Sequence, residues 1–332
     1  MPELRQNLAT KEWVIIAVER ARRPDEFVQA ERVLTEQRPA WEASCPFCPG
    51  NEELDLEIMR IPSSGPWQVR IVANKYPALQ REGPRAHSFD GIHRQISGVG
   101  YHEIVIEAPQ HNTCIALESP DRVALTFEAF KVRGREIAQD TRIEQIICFQ
   151  NHGEQAGSSL KHPHAQLVAL PVVPFNIRTR IEEARRYFDD MGRCVFCHML
   201  AEELKDGSRI VAQSELFVAF IPYAAFSPFH LWIMPRHHKS SFLHATAQEL
   251  ADLGVIAQRV LRKIYVGLKD PDYNYVIRTA PQRDPGYDYL HWYITLIPRV
   301  TRSAGFEIGS GMFINTTLPE QSAAFLRSIN VD

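Results

Sequence analysis

The sequence of 332 residues lacks any segment that would place it in a membrane or direct it out of the cell. A transmembrane helix needs about 20 consecutive apolar residues, and no run approaches that length. The N-terminal segment also lacks the basic stretch and apolar core that are typical of a secretory signal. We therefore expect a cytoplasmic protein that binds no membrane.

The chain has little net charge and none of the common phosphate-binding loop motifs. Its formal net charge is −3 and its pI is near 6.5, so no basic field would attract a nucleic acid polymer. Neither a Walker loop nor a G-x-G-x-x-G fingerprint after a strand is present. If the protein binds a nucleotide, other residues must contact its phosphates.

Cysteine is scarce, yet four of the six cysteines form two C-x-x-C pairs, Cys45-Pro46-Phe47-Cys48 and Cys194-Val195-Phe196-Cys197. In a reducing compartment such a pair indicates a metal site or a redox centre rather than a structural disulfide. Neither pair has the βαβ context of a thioredoxin-like motif, which favours metal. Cys114 and Cys148 stand in apolar segments, and we expect them to be buried core thiols.

The two pairs open two similar halves of the sequence. In each half an apolar strand, a histidine, a helix and a second strand follow the pair, and a strand that begins with histidine closes the half. The closing strands align as H-P-H-A-Q-L-V from His162 and H-W-Y-I-T-L-I from His291. A C-x-x-C pair followed by two histidines, twice in one order, predicts two tetrahedral zinc sites.

Each predicted zinc site takes its four ligands from its own half of the chain. The first comprises Cys45, Cys48, His111 and His162. The second comprises Cys194, Cys197, His291 and one of two adjacent histidines, of which the strict spacing of the repeat favours His237. With four protein ligands each, both zinc ions would be structural, because no position is left for water or substrate.

The closing strand of the first half carries the candidate catalytic residues. Side chains alternate along a strand, so His162, His164 and Gln166 share one face. The polar loop at 151–159 contains glycines whose backbone N–H groups can approach an anion closely. An aligned imidazole beside such a loop suits nucleophilic attack on phosphorus.

The second half has lost this chemistry. Tyr293 stands at the position of His164, and Thr295 stands at the position of Gln166. The second half keeps its predicted metal ligands without the nucleophile. We therefore predict that it is a scaffold and that the active site lies in the first half.

The H-φ-H-φ-Q-φ-φ pattern, in which φ is an apolar or small residue, resembles the active-site strand of the histidine-triad superfamily. With Gln166 in place of a third histidine, it is similar to the branch that contains galactose-1-phosphate uridylyltransferase. The resemblance runs from Cys45 to the C-terminus, and the second half looks much like the plant ADP-glucose phosphorylase branch. This likeness favours His238 over His237 as the last zinc ligand.

The resemblance implies a site in which His164 attacks the α-phosphorus of a nucleotide sugar and Gln166 donates its amide N–H to a phosphoryl oxygen. Backbone amides near Gly157, together with Ser158 and Ser159, would share the developing charge. Asn74 and Lys75 would contact the base or ribose, and Asn151 the phosphates. An ordinary solvated charge is an equal alternative for Lys75.

The implied function is a hexose-1-phosphate nucleotidyltransferase of the UDP-glucose:hexose-1-phosphate uridylyltransferase type, which works through a nucleotidyl-histidine. An ADP-sugar phosphorylase with phosphate as acceptor is the alternative. Two other classes stay open, namely a histidine-triad nucleotide hydrolase and a catalytically silent, zinc-scaffolded binding protein. The expected partners are a nucleotide sugar, a sugar 1-phosphate or phosphate, and a second copy in a homodimer.

The sugar end departs from the uridylyltransferase pattern. Ser310, Gly311 and Thr317 stand where that family has side chains that hold the hexose. Losing these hydrogen bonds would weaken discrimination between sugar phosphates.

Short strands of alternating hydrophobicity, with one main helix in each half, predict an α+β fold with antiparallel sheets. The resemblance implies two histidine-triad-like half-domains that join as a half-barrel. We place the catalytic half at 1–175 and the degenerate half at 176–332.

Overall fold

A computed structural model describes residues 1–17, 24–27 and 32–331. Its strands are β1 (Glu3–Gln6), β2 (Trp13–Ile16), β3 (Glu57–Ile61), β4 (Val69–Ala73), β5 (His87–Asp90), β6 (His93–Ile96), β7 (Tyr101–Ile106), β8 (Gln145–His152), β9 (His164–Leu170), β10 (Ile210–Gln213), β11 (Phe217–Phe220), β12 (Leu231–Pro235), β13 (Tyr273–Arg278), β14 (Tyr293–Pro298) and β15 (Phe313–Asn315). Its α-helices are α1 (Pro120–Ile137), α2 (Phe175–Met191), α3 (Val195–Asp206), α4 (Ala247–Leu268), α5 (Gly305–Ser310) and α6 (Pro319–Ser328).

Ten strands form one antiparallel sheet in the order β10-β11-β12-β14-β13-β8-β9-β7-β4-β3. Read outward from the centre, the first half contributes β8, β9, β7, β4 and β3, and the second half contributes β13, β14, β12, β11 and β10. The strands occur in the same sequence order on both sides, so the internal repeat is also a structural repeat. The predicted α+β class with antiparallel sheets is confirmed.

The two halves meet along the equivalent strands β8 and β13. Residues Tyr273 to Ile277 pair with His152 to Cys148 in antiparallel register. One hydrophobic core runs through both halves and includes Phe127 and Phe130 of α1 with Leu253 and Val260 of α4. We propose the division at 175/176, where α2 begins, as the boundary of the repeat rather than as a gap between separate cores.

The helices α1 and α4 occupy equivalent places in the two halves and pack against each other. Gly254 of α4 permits the contact, because a Cβ there would lie 2.4 Å from the carbonyl oxygen of Pro120. The capping box predicted for α4 is present, with Thr246 accepting from the backbone N–H of Glu249 and the Glu249 carboxylate accepting from Thr246. The helix therefore begins directly after Thr246, as its capping box predicts.

Two smaller features lie outside this repeat. A three-stranded sheet joins β1 and β2 near the N-terminus to β15 near the C-terminus. The hairpin of β5 and β6 extends a largely exposed loop. In the part of the chain that the structure describes, no helix has the length and apolarity needed to cross a membrane.

A buried carboxyl group lies where the two halves join. Glu107 follows β7; it accepts from the side-chain amide of Gln150 on β8 and lies 3.4 Å from the hydroxyl of Tyr275 on β13. Burial raises the pKa of Glu107 to about 8, so the folded protein keeps its proton at neutral pH. The Glu107 carboxyl group is therefore uncharged in the folded state, where it contacts side chains of β8 and β13.

Glu107 is expected to make the protein less stable as pH rises. An unfolded glutamate ionises near pH 4.5, whereas the folded one resists until about pH 8. Stability should therefore fall between these values by roughly 1.4 kcal/mol per pH unit. Glu107→Gln should remove this slope, as urea unfolding at pH 5, 6, 7 and 8 would show. Parallel curves for the two proteins would contradict the buried, protonated state.

Candidate active site

The strand β9 presents His164 and Gln166 on one face. The residues between and beyond them, Ala165 and Leu167, are fully buried on the opposite face, as the alternation predicted. The strand begins at His164, however, and His162 lies in the bend before it. The prediction that His162 belongs to the strand is therefore wrong, because the residue lies just before it, where its Nδ1 is 3.6 Å from Cys48 Sγ.

The geometry of His164 leaves one ring nitrogen for chemistry. Its Nδ1 lies 2.8 Å from the carbonyl oxygen of His162, which can only accept, so Nδ1 carries the proton. The Nε2 atom then carries the lone pair. Burial lowers the pKa of His164 below its ordinary value, which favours the neutral ring.

Two cavities flank His164. The polar cavity, of about 830 Å³, is bordered by residues 150–155 and 158–164 and by Arg32, Arg38 and Asp272. The apolar cavity, of about 350 Å³, is bordered by Phe47, Val72, Ile104 and Ile106 and by the polar residues Asn74, Lys75 and Gln166. Ser159, Leu160 and His164 border both. The imidazole therefore stands between a polar chamber and a largely apolar one.

The loop between β8 and β9 is shaped by two glycines with positive φ. Gly153 has φ of +84°, and a Cβ there would lie 1.9 Å from a carboxylate oxygen of Asp272. Gly157 has φ of +91° and lies beside Asn151 rather than on either cavity wall. Its predicted contact with substrate therefore has no support in the geometry. Its role is to let the loop turn.

The predicted serines differ in what they can offer. The Ser158 hydroxyl lies in the polar cavity and donates to the carbonyl oxygen of Leu160 at 2.8 Å, so it stabilises the loop. Ser159 borders both cavities, as His164 does. Of the two, Ser159 is the better placed to meet a phosphate group.

The second half holds this loop in position. Asp272 accepts from the backbone N–H of Gln155 at 2.6 Å. Asn274 of β13 donates to Oδ1 of Asn151 at 2.8 Å and to the carbonyl oxygen of Ala156 at 2.9 Å. Because its oxygen is engaged, Asn151 turns its N–H donors elsewhere, and it lines the polar cavity. Residues of the second half thus support the loop through hydrogen bonds.

The predicted nucleoside contacts lie in the apolar cavity. Asn74 and Lys75 both border it. The Lys75 ammonium lies 3.1 Å from a carboxylate oxygen of Glu53, and more than half of the lysine side chain is exposed. This geometry matches the solvated, ion-paired alternative, so Asn74 is the stronger candidate for a nucleoside contact.

Sequence reasoning missed several residues of the site. The cations Arg32, Arg38 and Lys161 border the polar cavity, and His102 of β7 contacts Gln166. The three cations come from irregular segments, so no periodicity marked them. His102 could have been found, because the strand alternation of residues 103–107 extends back to it.

The first predicted zinc cluster is assembled and wholly buried. The ligand atoms of Cys45, Cys48, His111 and His162 lie within 4.8 Å of one another. Cys48 Sγ is 3.5 Å from His111 Nδ1 and 3.6 Å from His162 Nδ1. A tetrahedral zinc ion with ordinary Zn–S and Zn–N bonds would separate such atoms by about 3.6 Å. The residues therefore fit a zinc ion.

Outer contacts orient both histidine ligands of this cluster. His162 Nε2 lies 2.8 Å from the carbonyl oxygen of Ala108, and His111 Nε2 lies 3.2 Å from a carboxylate oxygen of Glu42. Each contact places the proton on Nε2 and leaves Nδ1 for metal. Burial lowers the pKa of His162 to about 4, which also favours the neutral ligand.

The second cluster has the same composition but is more exposed. It brings together Cys194, Cys197, His238 and His291, so His238 rather than His237 joins it. Cys197 Sγ lies 3.1 Å from His238 Nδ1 and 3.3 Å from His291 Nδ1. Cys194 is the N-cap of α3, a helix that the sequence reasoning did not predict. The set fits a second zinc ion.

The residues expected at the sugar end lie elsewhere in the chain. Ser310 and Gly311 end α5 and are exposed, and Thr317 is buried beyond β15. None of the three borders the polar or the apolar cavity of the described chain. Weak sugar discrimination therefore stays a prediction without support from the geometry around His164.

Comparison with known proteins matches both halves to one family. Residues 1–174 match the N-terminal domain of galactose-1-phosphate uridyl transferase, and residues 180–331 match its C-terminal domain. An ADP-glucose phosphorylase of Arabidopsis thaliana is 37% identical over 99% of this chain and 93% of its own length. A galactose-1-phosphate uridylyltransferase of Thermotoga maritima is 28% identical over the full length of both.

Solved structures give the same result. The Arabidopsis thaliana ADP-glucose phosphorylase with bound ADP-glucose has a TM-score of 0.85 and 34% identity, with full coverage of both chains. A uridylyltransferase structure has a TM-score of 0.76 and 25% identity over 99% of this chain and 98% of its own. A nucleotidyltransferase fold of two repeated halves is thus established. The chain belongs to the galactose-1-phosphate uridylyltransferase family. The relatives named above include transferases and a phosphorylase.

Proposed function

We propose that this enzyme transfers a nucleoside monophosphate through a covalent nucleotidyl-His164, with an ADP-sugar as donor and inorganic phosphate as acceptor. The observation that carries the covalent step is the lone-pair Nε2 of a neutral His164 between two cavities. An apolar pocket suits a base and a polar, cation-bearing one suits phosphates. The nucleoside of the donor would therefore occupy the apolar cavity, which is called the nucleoside pocket below.

The reaction divides one displacement into two. In the first, the Nε2 lone pair of His164 forms a bond to the α-phosphorus, and the bond from that phosphorus to the bridging oxygen breaks. Sugar 1-phosphate leaves with the electron pair. In the second, an oxygen of the acceptor forms a bond to phosphorus, and the P–N bond breaks, which restores the neutral ring. The Nδ1 proton stays on the ring throughout, held by the His162 carbonyl.

The chain supplies several groups for the charge that develops on the phosphoryl oxygens. Gln166 lies on the same strand face as His164 and borders the nucleoside pocket. Arg38 and Lys161 border the polar cavity. Fixed donors aimed at developing charge are worth about 10²- to 10³-fold in rate each when removed singly.

Zinc would act on this site by holding residues in place. An ion bound by Cys45, Cys48, His111 and His162 would supply structural rigidity, because no coordination position is left open. His162 is the link, since its ring points to the cluster while its carbonyl oxygen accepts the proton of His164 Nδ1. The orientation of the nucleophile thus depends on a residue that the metal would fix.

Sequence identity to the relatives favours an ADP-sugar as the donor. The Arabidopsis thaliana ADP-glucose phosphorylase is 37% identical, against 28% for the Thermotoga maritima uridylyltransferase. The second candidate, a uridylyltransferase that uses UDP-glucose and hexose 1-phosphate, is supported by the family match of both halves. A homodimer, as the family likeness implies, is part of the proposal, and sedimentation analysis would test it.

Intact-protein mass spectrometry tests the function directly. The protein is incubated with ADP-glucose or UDP-glucose, and the adduct mass reports the nucleotide that is bound covalently. We expect an adenylyl adduct that phosphate discharges as ADP. A uridylyl adduct that hexose 1-phosphate discharges would support the second candidate. Release of nucleoside monophosphate without any acceptor would indicate a hydrolase, and no adduct with either donor would indicate a binding protein.

A further inference from the structure

We propose that His102 is a positioning residue that fixes the side-chain amide of Gln166 with its N–H groups turned toward the reacting phosphate. The inference rests on the proposed function and adds a residue to it. His102 lies on β7 and Gln166 on β9, two strands that pair in antiparallel register with Ile104 opposite Gln166. The two side chains are diagonal neighbours on one face of the sheet, within reach of each other.

The hydrogen bonds of His102 determine its tautomer. The backbone N–H of Ala78 lies 3.1 Å from Nδ1 of His102, and because a backbone N–H can only donate, Nδ1 accepts. In a neutral ring the proton is then on Nε2. That N–H donates to Oε1 of Gln166 at 2.8 Å. The amide oxygen is thereby engaged, and the amide N–H groups are the part of Gln166 left for the pocket.

A second amide lies close to the same ring nitrogen. Asn74 Nδ2 is 3.1 Å from His102 Nε2, but both atoms are donors in this tautomer, so the contact is not a hydrogen bond. The orientation of Asn74 is set separately, because its Oδ1 accepts from the backbone N–H of Tyr76 at 2.9 Å. Removing the His102 ring should therefore release Gln166 while Asn74 stays oriented.

The structural repeat contains the same pair of positions. In the second half Trp232 is opposite Thr295, as Ile104 is opposite Gln166, and His230 precedes Trp232 by two residues. His230 Nε2 lies 2.8 Å from the hydroxyl oxygen of Thr295. There Nε2 accepts, because the indole N–H of Trp232 donates to it at 3.2 Å. A histidine contacts this strand position in both halves, but only the first half has the tautomer that donates.

The direction of donation matters to the reaction. A free glutamine amide can turn either its oxygen or its nitrogen toward a neighbour. An oxygen aimed at a phosphoryl group would repel the charge that builds up there, whereas an N–H would stabilise it. Because the Nε2–H of His102 can pair only with the amide oxygen of Gln166, it disfavours the orientation in which that oxygen faces the phosphoryl group. His102 thus acts on the phosphate through Gln166.

The test is a double-mutant cycle on kcat for nucleotidyl transfer. His102→Phe should lower kcat about 10- to 100-fold, with KM changed less than about threefold, because one fixed donor is lost. His102→Gln, which retains a donor, should restore most of the rate. The double variant His102→Phe/Gln166→Ala should be no more than about twofold slower than Gln166→Ala, since both changes remove one interaction.

A matched control comes from the repeat. Thr295→Val deletes the equivalent contact in the second half and should lower thermal stability while leaving kcat within about twofold. A similar loss of kcat in Thr295→Val, or additive effects in the cycle, would overturn the inference. Wild-type protein measured alongside separates the two proposals, because absence of an adduct there would refute the nucleotidyl transfer itself.

The tautomer of His102 can also be measured directly, without an activity assay. Long-range proton–nitrogen NMR of protein with labelled histidines should show His102 protonated at Nε2 and unprotonated at Nδ1. The Gln166→Ala spectrum assigns the signal, because only the His102 ring should lose its Nε2–H acceptor. A proton on Nδ1 in the wild type would overturn the inference.

Discussion

Replacing His164 by asparagine is expected to abolish nucleotidyl transfer while the nucleotide still binds. Asparagine retains an N–H that can donate to the His162 carbonyl, but it has no lone-pair nitrogen at the position of Nε2. Loss of a covalent nucleophile typically lowers kcat by about 10⁴- to 10⁶-fold. The adduct peak should disappear from the mass spectrum, and nucleotide affinity by calorimetry should change less than about threefold, because the base and phosphate contacts remain.

The wild-type enzyme should also show ping-pong kinetics and an acid-labile adduct that maps to His164. His93→Asn on the exposed β6 strand is the matched control, because His93 borders neither cavity and its loss should leave the rate unchanged. If His164→Asn kept most of its exchange rate, the covalent mechanism would be wrong.

Removing the metal should unfold the protein rather than only inactivate it. Two zinc ions are expected per chain, and a structural zinc ion contributes about 10–16 kcal/mol in small zinc-binding peptides. Elemental analysis of Cys45→Ser and of Cys194→Ser should each show the loss of one ion. Cys114→Ala and Cys148→Ala are matched controls, because these buried thiols lie outside both clusters.

The two ions should differ in how easily a chelator removes them. All four ligands of the first cluster are buried, whereas His238 of the second is exposed and Cys197 is half-buried. Chelation should therefore remove the second ion first, and removal of the first ion should need a higher chelator concentration or a longer exposure. A single ion in the wild type, unaffected by Cys194→Ser, would refute the second site.

Much of the fold could be predicted because its signals are local. The capping box at Thr246 and Glu249 gave the start of α4, and Pro174 and Gly192 flank α2, whose C-cap has the left-handed conformation that glycine adopts most easily. The metal clusters could be predicted for a different reason. Their spacing repeats within the chain, so each half supported the interpretation of the other.

What could not be predicted depends on contacts between distant segments. Asp272 reaches the loop at 153–155 across 117 residues of sequence, and no local pattern links them. His102 meets Gln166 only through the pairing of β7 and β9, and a strand register is not visible in one sequence. The exclusion of Gly157 from both cavity walls likewise follows from the turn of the loop.

The pairing of β8 with β13 has a consequence for any attempt to separate the halves. Cutting the chain before α2 would make β8, which is eight residues long, an edge strand. It would still pair with β9, but the N–H and C=O groups that face β13 would be open. Such an edge recruits other strands, so the isolated first half would associate with itself or aggregate. The same cut would remove Tyr275 from Glu107, and it would remove Asp272 and Asn274 from the loop that carries Asn151. The second half is thus needed to cover the edge of β8, whichever half carries the chemistry.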